Sequence, residues 1–262
     1  MLNNLINNHD FITKLLILCP LGFLAALVDS IAGGGGLISV PAYLLAGVPP
    51  YLALGTNKFS STAASFTSSL KFARSGKIDF KIMKYIAPFT LVGAVLGVTS
   101  VLKMDQNFLY TLVLILVLGV GIYSFFSKSI GMEDKFKGIT KKTLFLGILL
   151  ALSLGFYDGF FGPGTGSFLI FGIISIYGLD FVKASGNAKF LNFVSNITSL
   201  FMFALHGQID YLLGIPVAIF MIFGARIGTV LALNKGSKLI KPIFVTMSLG
   251  VAIKMLYQMF VK

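Results

Sequence analysis

Four ionisable residues stand inside otherwise apolar stretches of this sequence: Asp29, Lys58, Asp158 and Lys189. A charge at membrane depth is expensive, so such residues are functional candidates by default. Each aspartate runs into a glycine cluster. Asp29 precedes "AGGGG", which holds Gly33, Gly34, Gly35 and Gly36. Asp158 precedes "GFFGPGTGS", which holds Gly162, Gly164, Thr165 and Gly166. Four glycines in a row break a helix. A helix that restarts at such a break aims free N–H groups and the positive end of its dipole at the gap. Consecutive glycines also let the backbone fold into a concave nest of amides. That chemistry binds a small oxyanion. Lys58 and Lys189 suit the same ligand, and Asn57, Asn187 and Asn192 stand near them as neutral donors. Asp29 and Asp158 have two compatible uses: as partners in buried salt bridges, or as carriers of a coupling proton. The sequence does not choose between the two aspartates.

The elements that must position these groups are membrane helices. Of the 262 residues, 56% are hydrophobic and only 11% are charged. The mean hydropathy is +0.91. A soluble domain carries far more charge. The stretch 106–126, "QNFLYTLVLILVLGVGIYSFF", has no Lys, Arg, Asp or Glu and is long enough to span hydrocarbon. The stretch 211–233 has one charge, Arg226, which is expected to snorkel toward the cytoplasmic side. The single cysteine, Cys19, forms no intrachain disulfide.

The chain is duplicated. Asp29 falls on Asp158 at an offset of 129, which also puts Gly33 and Gly35 on Gly162 and Gly164. "TNKFSS" (56–61) then matches "NAKFLN" (187–192) at an offset of 131. "SGKID" (75–79) matches "HGQID" (206–210), and "GAVLG" (93–97) matches "GARIG" (224–228), at the same offset. The shift from 129 to 131 implies a two-residue insertion in the second copy. Gly93/Gly97 and Gly224/Gly228 have the spacing of close helix packing. Packing alone is expected to explain the two longer glycine clusters poorly.

Each copy reads as five apolar segments: 11–31, 37–47, 51–73, 82–103 and 106–127, then 142–161, 167–178, 183–205, 211–233 and 238–260. The second segment of each copy is too short to span a bilayer. Three basic clusters, at 71–84, 128–142 and 235–241, hold thirteen of the 21 Lys and Arg residues. The positive-inside rule makes all three cytoplasmic. The 206–210 loop has neither Lys nor Arg and is expected outside, although its repeat partner is the basic 75–79 loop. The halves should therefore be inverted, with both termini external. The expected architecture is an all-α polytopic membrane protein of two inverted repeats, 1–127 and 142–262, joined by a cytoplasmic linker, 128–141. Each repeat carries a glycine-broken hairpin near the midplane, where irregular backbone needs cover from protein or a water-filled cavity.

The excess of basic residues needs no nucleic acid to explain it. Neither glycine cluster has Walker or GxGxxG form. Two His and one Cys, with no nucleophile–base motif or metal-ligand cluster, suggest neither an enzyme, a metal site nor a cofactor. A secondary transporter of a small anion leads the readings. An anion channel using the same helix-dipole site is the alternative, and a non-transporting partner subunit is a weaker one. His206 is expected at the surface.

"DSIAGGGGLISVPAYLLAGVPPYLALGTNK" in the first half, and "GFYDGFFGPGTGSFLIFG" followed by "ASGNAKFLNFVSN" in the second, resemble the two signatures of the sulfite exporter TauE/SafE family. The resemblance covers roughly 23–233. It implies a multi-pass permease of a bacterial-type inner membrane, with duplicated halves. The substrates it implies are sulfite, sulfoacetate and related small organosulfur or carboxylate anions, often exported, with an ion gradient such as protons as driver.

Overall fold

A computed structural model describes residues 2–105, 108, 115, 134–136 and 138–235. The expected fifth segments, 106–127 apart from residues 108 and 115, and 238–260, lie outside the described residues, as does half of the 128–141 linker. Among the described residues there are eight helices and no strand. They are α1 (Leu2–Ala32), α2 (Gly36–Leu45), α3 (Pro50–Arg74), α4 (Phe80–Val101), α5 (Lys141–Phe160), α6 (Thr165–Tyr177), α7 (Phe181–Leu205) and α8 (Tyr211–Lys235). Five are long and apolar enough to cross a membrane: α1 from Asp10 onward, α4, α5, α7 and α8.

The expected segment 51–73 corresponds to α3, which has the length of a span but is not among those five. Ser, Thr, Asn and Lys dilute its hydropathy. Those residues do not face lipid: Thr56, Asn57, Lys58, Ser60, Ser65 and Ser68 are all buried. α3 thus serves as an internal polar helix packed against α7 and α8. Outward-facing Leu, Ile and Phe are more numerous on helices such as α5 and α8, with Phe145, Leu149, Leu212 and Phe223 exposed, than on α3, which exposes Phe66 and Leu70.

The repeated motifs have local structural causes. "SGKID" and "HGQID" each end one helix and begin the next. Gly76 and Gly207 adopt left-handed backbone, with φ of +66° and +65°. Lys77 N–H then returns to the Phe72 carbonyl and Gln208 N–H to the Phe203 carbonyl, the closing bond of a Schellman cap. Asp79 accepts from the N–H groups of Lys81 and Ile82 at the start of α4, and Asp210 from that of Leu213 at the start of α8. The two-residue insertion falls between the starts of the short helices, Gly36 and Thr165 at an offset of 129, and the left-handed glycines after them, Gly47 and Gly178 at an offset of 131.

The small-residue motifs bring the two copies together crosswise. Gly93 and Gly97 of α4 lie against α5, where an added methyl would come within 2.3 Å of the Leu152 carbonyl and 2.1 Å of the Phe156 carbonyl. Gly224 and Gly228 of α8 lie in the same way against Phe23 and Leu27 of α1, at 2.2 and 2.3 Å. Close packing is therefore what these pairs do, as their spacing suggests. Cross-copy polar contacts follow the same pattern. Asp210 N–H donates to the Thr56 hydroxyl at 2.9 Å, and Asp79 N–H to the Asn187 side-chain carbonyl at 2.9 Å. The 206–210 loop thus rests on the first turns of α3, while the matched 75–79 loop follows its last turn. The two loops lie at opposite ends of a 25-residue helix.

Two buried apolar clusters flank the polar interior. One gathers Leu18, Tyr43, Val98, Phe161 and Phe203, the other Ile31, Phe72, Ile86, Ile173 and Leu191. Gly97→Ala forces a methyl into a backbone carbonyl that has no room to move away. It should cost about 1–3 kcal/mol, read as a lower thermal midpoint of the purified protein in detergent.

Candidate functional site

The break between α1 and α2 and the break between α5 and α6 touch each other. Ser167 N–H donates to the Gly33 carbonyl at 2.9 Å, and the Ser167 hydroxyl to the Ala32 carbonyl at 2.9 Å. Gly33 has a φ of +81°, and a Cβ there would lie 2.4 Å from the Gly166 carbonyl carbon. A Cβ on Gly36 would lie 2.8 Å from Pro163, and one on Gly35 2.4 Å from the Ala25 carbonyl oxygen. Three of the four consecutive glycines are therefore required by close approach. This corrects the expectation that packing explains that cluster poorly: a chain break must cross another chain break, and only a residue without Cβ fits. Gly34 is the exception, with nothing nearer than 3.9 Å to a built Cβ.

The four buried charges meet at this crossing. Lys58 pairs with Asp158 at 2.9 Å, and Lys189 with Asp29 at 2.6 Å. Each pair joins one copy to the other. Lys58 on α3 reaches the last turn of α5, while Lys189 on α7 reaches the last turn of α1. Lys58 also donates to the Asn196 side-chain carbonyl at 3.1 Å. Asp158 accepts from the Ser195 hydroxyl and, at 3.4 Å, from the Asn192 amide. Asp29 accepts from the Gly35 N–H at 3.2 Å. Lys58, Asp158 and Lys189 are almost fully buried, so removing the partner of any of them strands a charge in the interior.

A cavity of about 30 Å³ lies among these groups. That is the scale of one or two water molecules. Asp29, Asp158, Lys58, Asn57 and Asn192 line it, as do Gly33, Gly35, Gly36, Gly162, Gly164 and Gly166. The helices α2 and α6 begin at Gly36 and Thr165, so both start at the cavity. Their first-turn amides are partly committed: Leu37 N–H to the Gly34 carbonyl, Thr165 N–H to the Gly162 carbonyl, and Ser167 N–H to Gly33 as above. Summed over Asp29, Lys189, Asp158 and Lys58, the formal charge around the cavity is zero.

Four of the expected site residues do not line it. Lys189 stands behind Asp29 as its ion partner. Thr165 turns its hydroxyl to the Gly162 carbonyl at 2.7 Å and closes the local turn. Gly34 is off the wall. Asn187 accepts from Asp79 N–H and donates to the Lys183 carbonyl at 2.8 Å, so it fixes the start of α4. The reason is helical geometry. Asn187 is two residues from Lys189, roughly 200° around a helix, whereas Asn192 is three residues away and shares its face. Two contributors were undervalued by sequence. Ser195 is bound to Asp158, and Asn196 is bound to Lys58. The signal was present in the spacing Asn192, Ser195, Asn196, which is i, i+3, i+4. Arg226 and His206 are both exposed and take no part. Among the described residues no group of three or more His, Cys, Asp or Glu side chains is placed to hold a metal ion.

Known proteins agree on the family. The model of the sulfite exporter TauE/SafE family matches residues 18–255. The chain belongs to that family. It is a membrane transporter of the TauE/SafE type, as are relatives of similar length. A probable membrane transporter protein of Haemophilus influenzae is 38% identical over 246 residues, covering 94% of this chain and 96% of the relative. The probable membrane transporter protein YfcA of Escherichia coli is 36% identical over 253 residues, covering 95% and 93%. A Sinorhizobium relative, probable membrane transporter protein ORF9, is 36% identical over 234 residues. No solved structure matches the chain.

Two substitutions separate the structural demands of the site. Gly33→Ala should lower the thermal midpoint strongly, because it meets both a left-handed φ and the Gly166 backbone. Gly34→Ala should leave the midpoint near wild type. Lys58→Ala strands Asp158 in the interior and should cost about 3–5 kcal/mol, measured by the same thermal unfolding assay.

Proposed function

We propose that this TauE/SafE transporter moves a small anion, sulfite or a compact organosulfur anion, by alternating access, and that it works as an exporter in an inner membrane. The observation that carries this reading is the crossing of two chain breaks around a small cavity. There each copy lends a lysine to the aspartate of the other. The size of the cavity favours a compact ligand. The oxyanion would be held by Lys58, Lys189, Asn57 and Asn192 and by amides at the starts of α2 and α6. The sulfur in the substrate comes from the family name alone; the two lysines and the amides at the helix starts support only the reading of a small anion.

The halves, 1–127 and 142–262, would be inverted repeats rocking about the crossing, joined by a cytoplasmic 128–141 linker. The location of the two matched loops at opposite ends of α3 supports that inversion, as does the crosswise pairing of α1 with α8 and of α4 with α5. Both termini would then be external. The net neutrality of the four charges gives a reason for ion coupling. An anion entering a neutral, poorly hydrated cavity needs a compensating positive charge, and a proton on an aspartate supplies it.

The test is flux in proteoliposomes, comparing sulfite, thiosulfate, sulfoacetate, sulfate and chloride at two pH gradients. Saturable movement of one sulfur oxyanion, enhanced by the gradient, is the expected result. Unsaturable movement of several anions, chloride included, would replace the transporter with a channel. Lys189→Ala should abolish sulfite binding while the protein remains folded. Binding unchanged in that variant would leave Lys189 a structural partner of Asp29. For the topology, a cysteine at His206 should react with an impermeant thiol reagent from outside intact cells, and one at Gly76 should not.

A further inference from the structure

The two ion pairs correspond across the repeat but are unequal in strength of enclosure. The Asp158 side chain is 3% exposed and is held by Lys58, Ser195 and Asn192. Its lysine is held in turn by Asn196. The Asp29 side chain is 22% exposed. Besides Lys189 it accepts one hydrogen bond, from the Gly35 backbone. The difference traces to two positions on α3 and α7. At the repeat offset of 131, Ser61 stands where α7 has Asn192, and Ala64 where it has Ser195. Ser61 directs its hydroxyl to Asn57 at 3.5 Å, and Ala64 presents only a methyl to the cavity. The first copy therefore lacks both side-chain donors that hold the aspartate of the second.

On the reading of this protein as an anion transporter, we propose that Asp29 alone is the carboxylate that takes up the coupling proton, while Asp158 remains an ionised anchor for Lys58. A carboxylate with three side-chain donors loses three favourable contacts on protonation. Asp29 loses an ion pair and one weak backbone bond, and its side chain is more open to an arriving proton than that of Asp158, 22% exposed against 3%. Among the described residues the charged groups around it are few. Lys189 approaches from α7, and Lys58 and Asp158 share the cavity from α3 and α5. The short helices α2 and α6 carry no charged residue, and Arg226 of the neighbouring α8 is exposed.

The step balances. A proton binds the Asp29 carboxylate and gives a neutral acid. The Lys189 ammonium keeps its protons and turns from Asp29 to the incoming oxyanion. One positive and one negative charge enter together, and the cavity stays neutral. Release of the anion on the other side returns Lys189 to Asp29 and expels the proton, so the two move together and export runs when the outward anion gradient exceeds the opposing proton gradient. Because Lys189 and Asp29 belong to different copies, the same event also loosens one of the two charged links between the halves.

The assignment is tested in two ways, one independent of any substrate. Dicyclohexylcarbodiimide reacts with protonated carboxyl groups in apolar settings. With wild-type protein in lipid, labelling mapped by mass spectrometry should appear at Asp29, rise severalfold as pH falls, and be at least tenfold lower at Asp158. Equal labelling, preferential labelling of Asp158, or no labelling of Asp29 at any pH would overturn the proposal. In vesicles with sulfite as probe, Asp29→Asn should lose the pH dependence of flux and lower the thermal midpoint less than Asp158→Asn does. Asp158→Asn should lower the midpoint and keep the pH dependence in whatever flux remains. The reverse pattern would overturn the assignment. Wild-type vesicles that move no anion would sink the transport reading itself, and the labelling result would still say which aspartate takes the proton.

Discussion

Everything in this structure is arranged around one constraint: four charges placed inside an apolar protein must be neutralised there. The chain meets it by exchange. Lys58 and Lys189 each reach past their own copy to the aspartate of the other, at 2.9 and 2.6 Å. Neither copy can satisfy its charges alone. The duplication is thereby locked into a single unit by bonds that a purely apolar interface would not supply with the same specificity. The energetic stake is asymmetric, since a complete buried pair adds little stability while a broken one is costly. Such pairs specify an arrangement more than they strengthen it.

The exchange is possible only because the backbones come very close. Gly33 crosses Gly166, Gly36 crosses Pro163, and the α4–α5 and α1–α8 seams are lined by Gly97 and Gly228. A lysine side chain must cover the gap between copies, so the helices that carry it need small residues at the seams. The polar face of α3 is the second consequence. A helix rich in Ser, Thr and Asn is poor at crossing lipid but suited to filling the interior between α7 and α8, where hydroxyls return to their own backbone or reach across. Ser69, which donates to the Lys189 carbonyl at 2.7 Å, is one such cross-copy contact.

Much of this was legible in the sequence because it rests on local rules. Hydropathy and Gly/Pro punctuation located the eight described helices within a few residues, apart from the start of α1, which begins at Leu2 and not near 11. The internal repeat identified Asp29, Lys58, Asp158 and Lys189 as special. What the sequence left open was long-range. Offsets of 129 and 131 align residues but do not say that partners are exchanged between copies. Asn187 was misplaced because proximity in sequence to Lys189 was weighed above its angle on the helix. Ser195 was underweighted because a serine in a membrane helix usually bonds to its own backbone, and this one also does, at 3.1 Å to the Asn192 carbonyl. The glycine cluster was read for its amides, whereas Gly35 and Gly36 are equally demanded by the neighbouring main chain.

The copies have diverged at the positions that matter most to a charge. Two identical halves would hold two identical ion pairs, and neither would yield before the other. Having Ser61 and Ala64 where the second copy has Asn192 and Ser195 leaves one aspartate held by two extra donors and the other more exposed. An anion cannot enter a neutral cavity of this size without displacing a carboxylate from a lysine or neutralising it. Either route acts on a bond that also ties one half of the protein to the other. In the proposed mechanism, binding and the movement that exposes the opposite face need no separate linkage, because the group that admits the anion is the group that holds the halves together. The caged pair then keeps the two copies in register while the other is open.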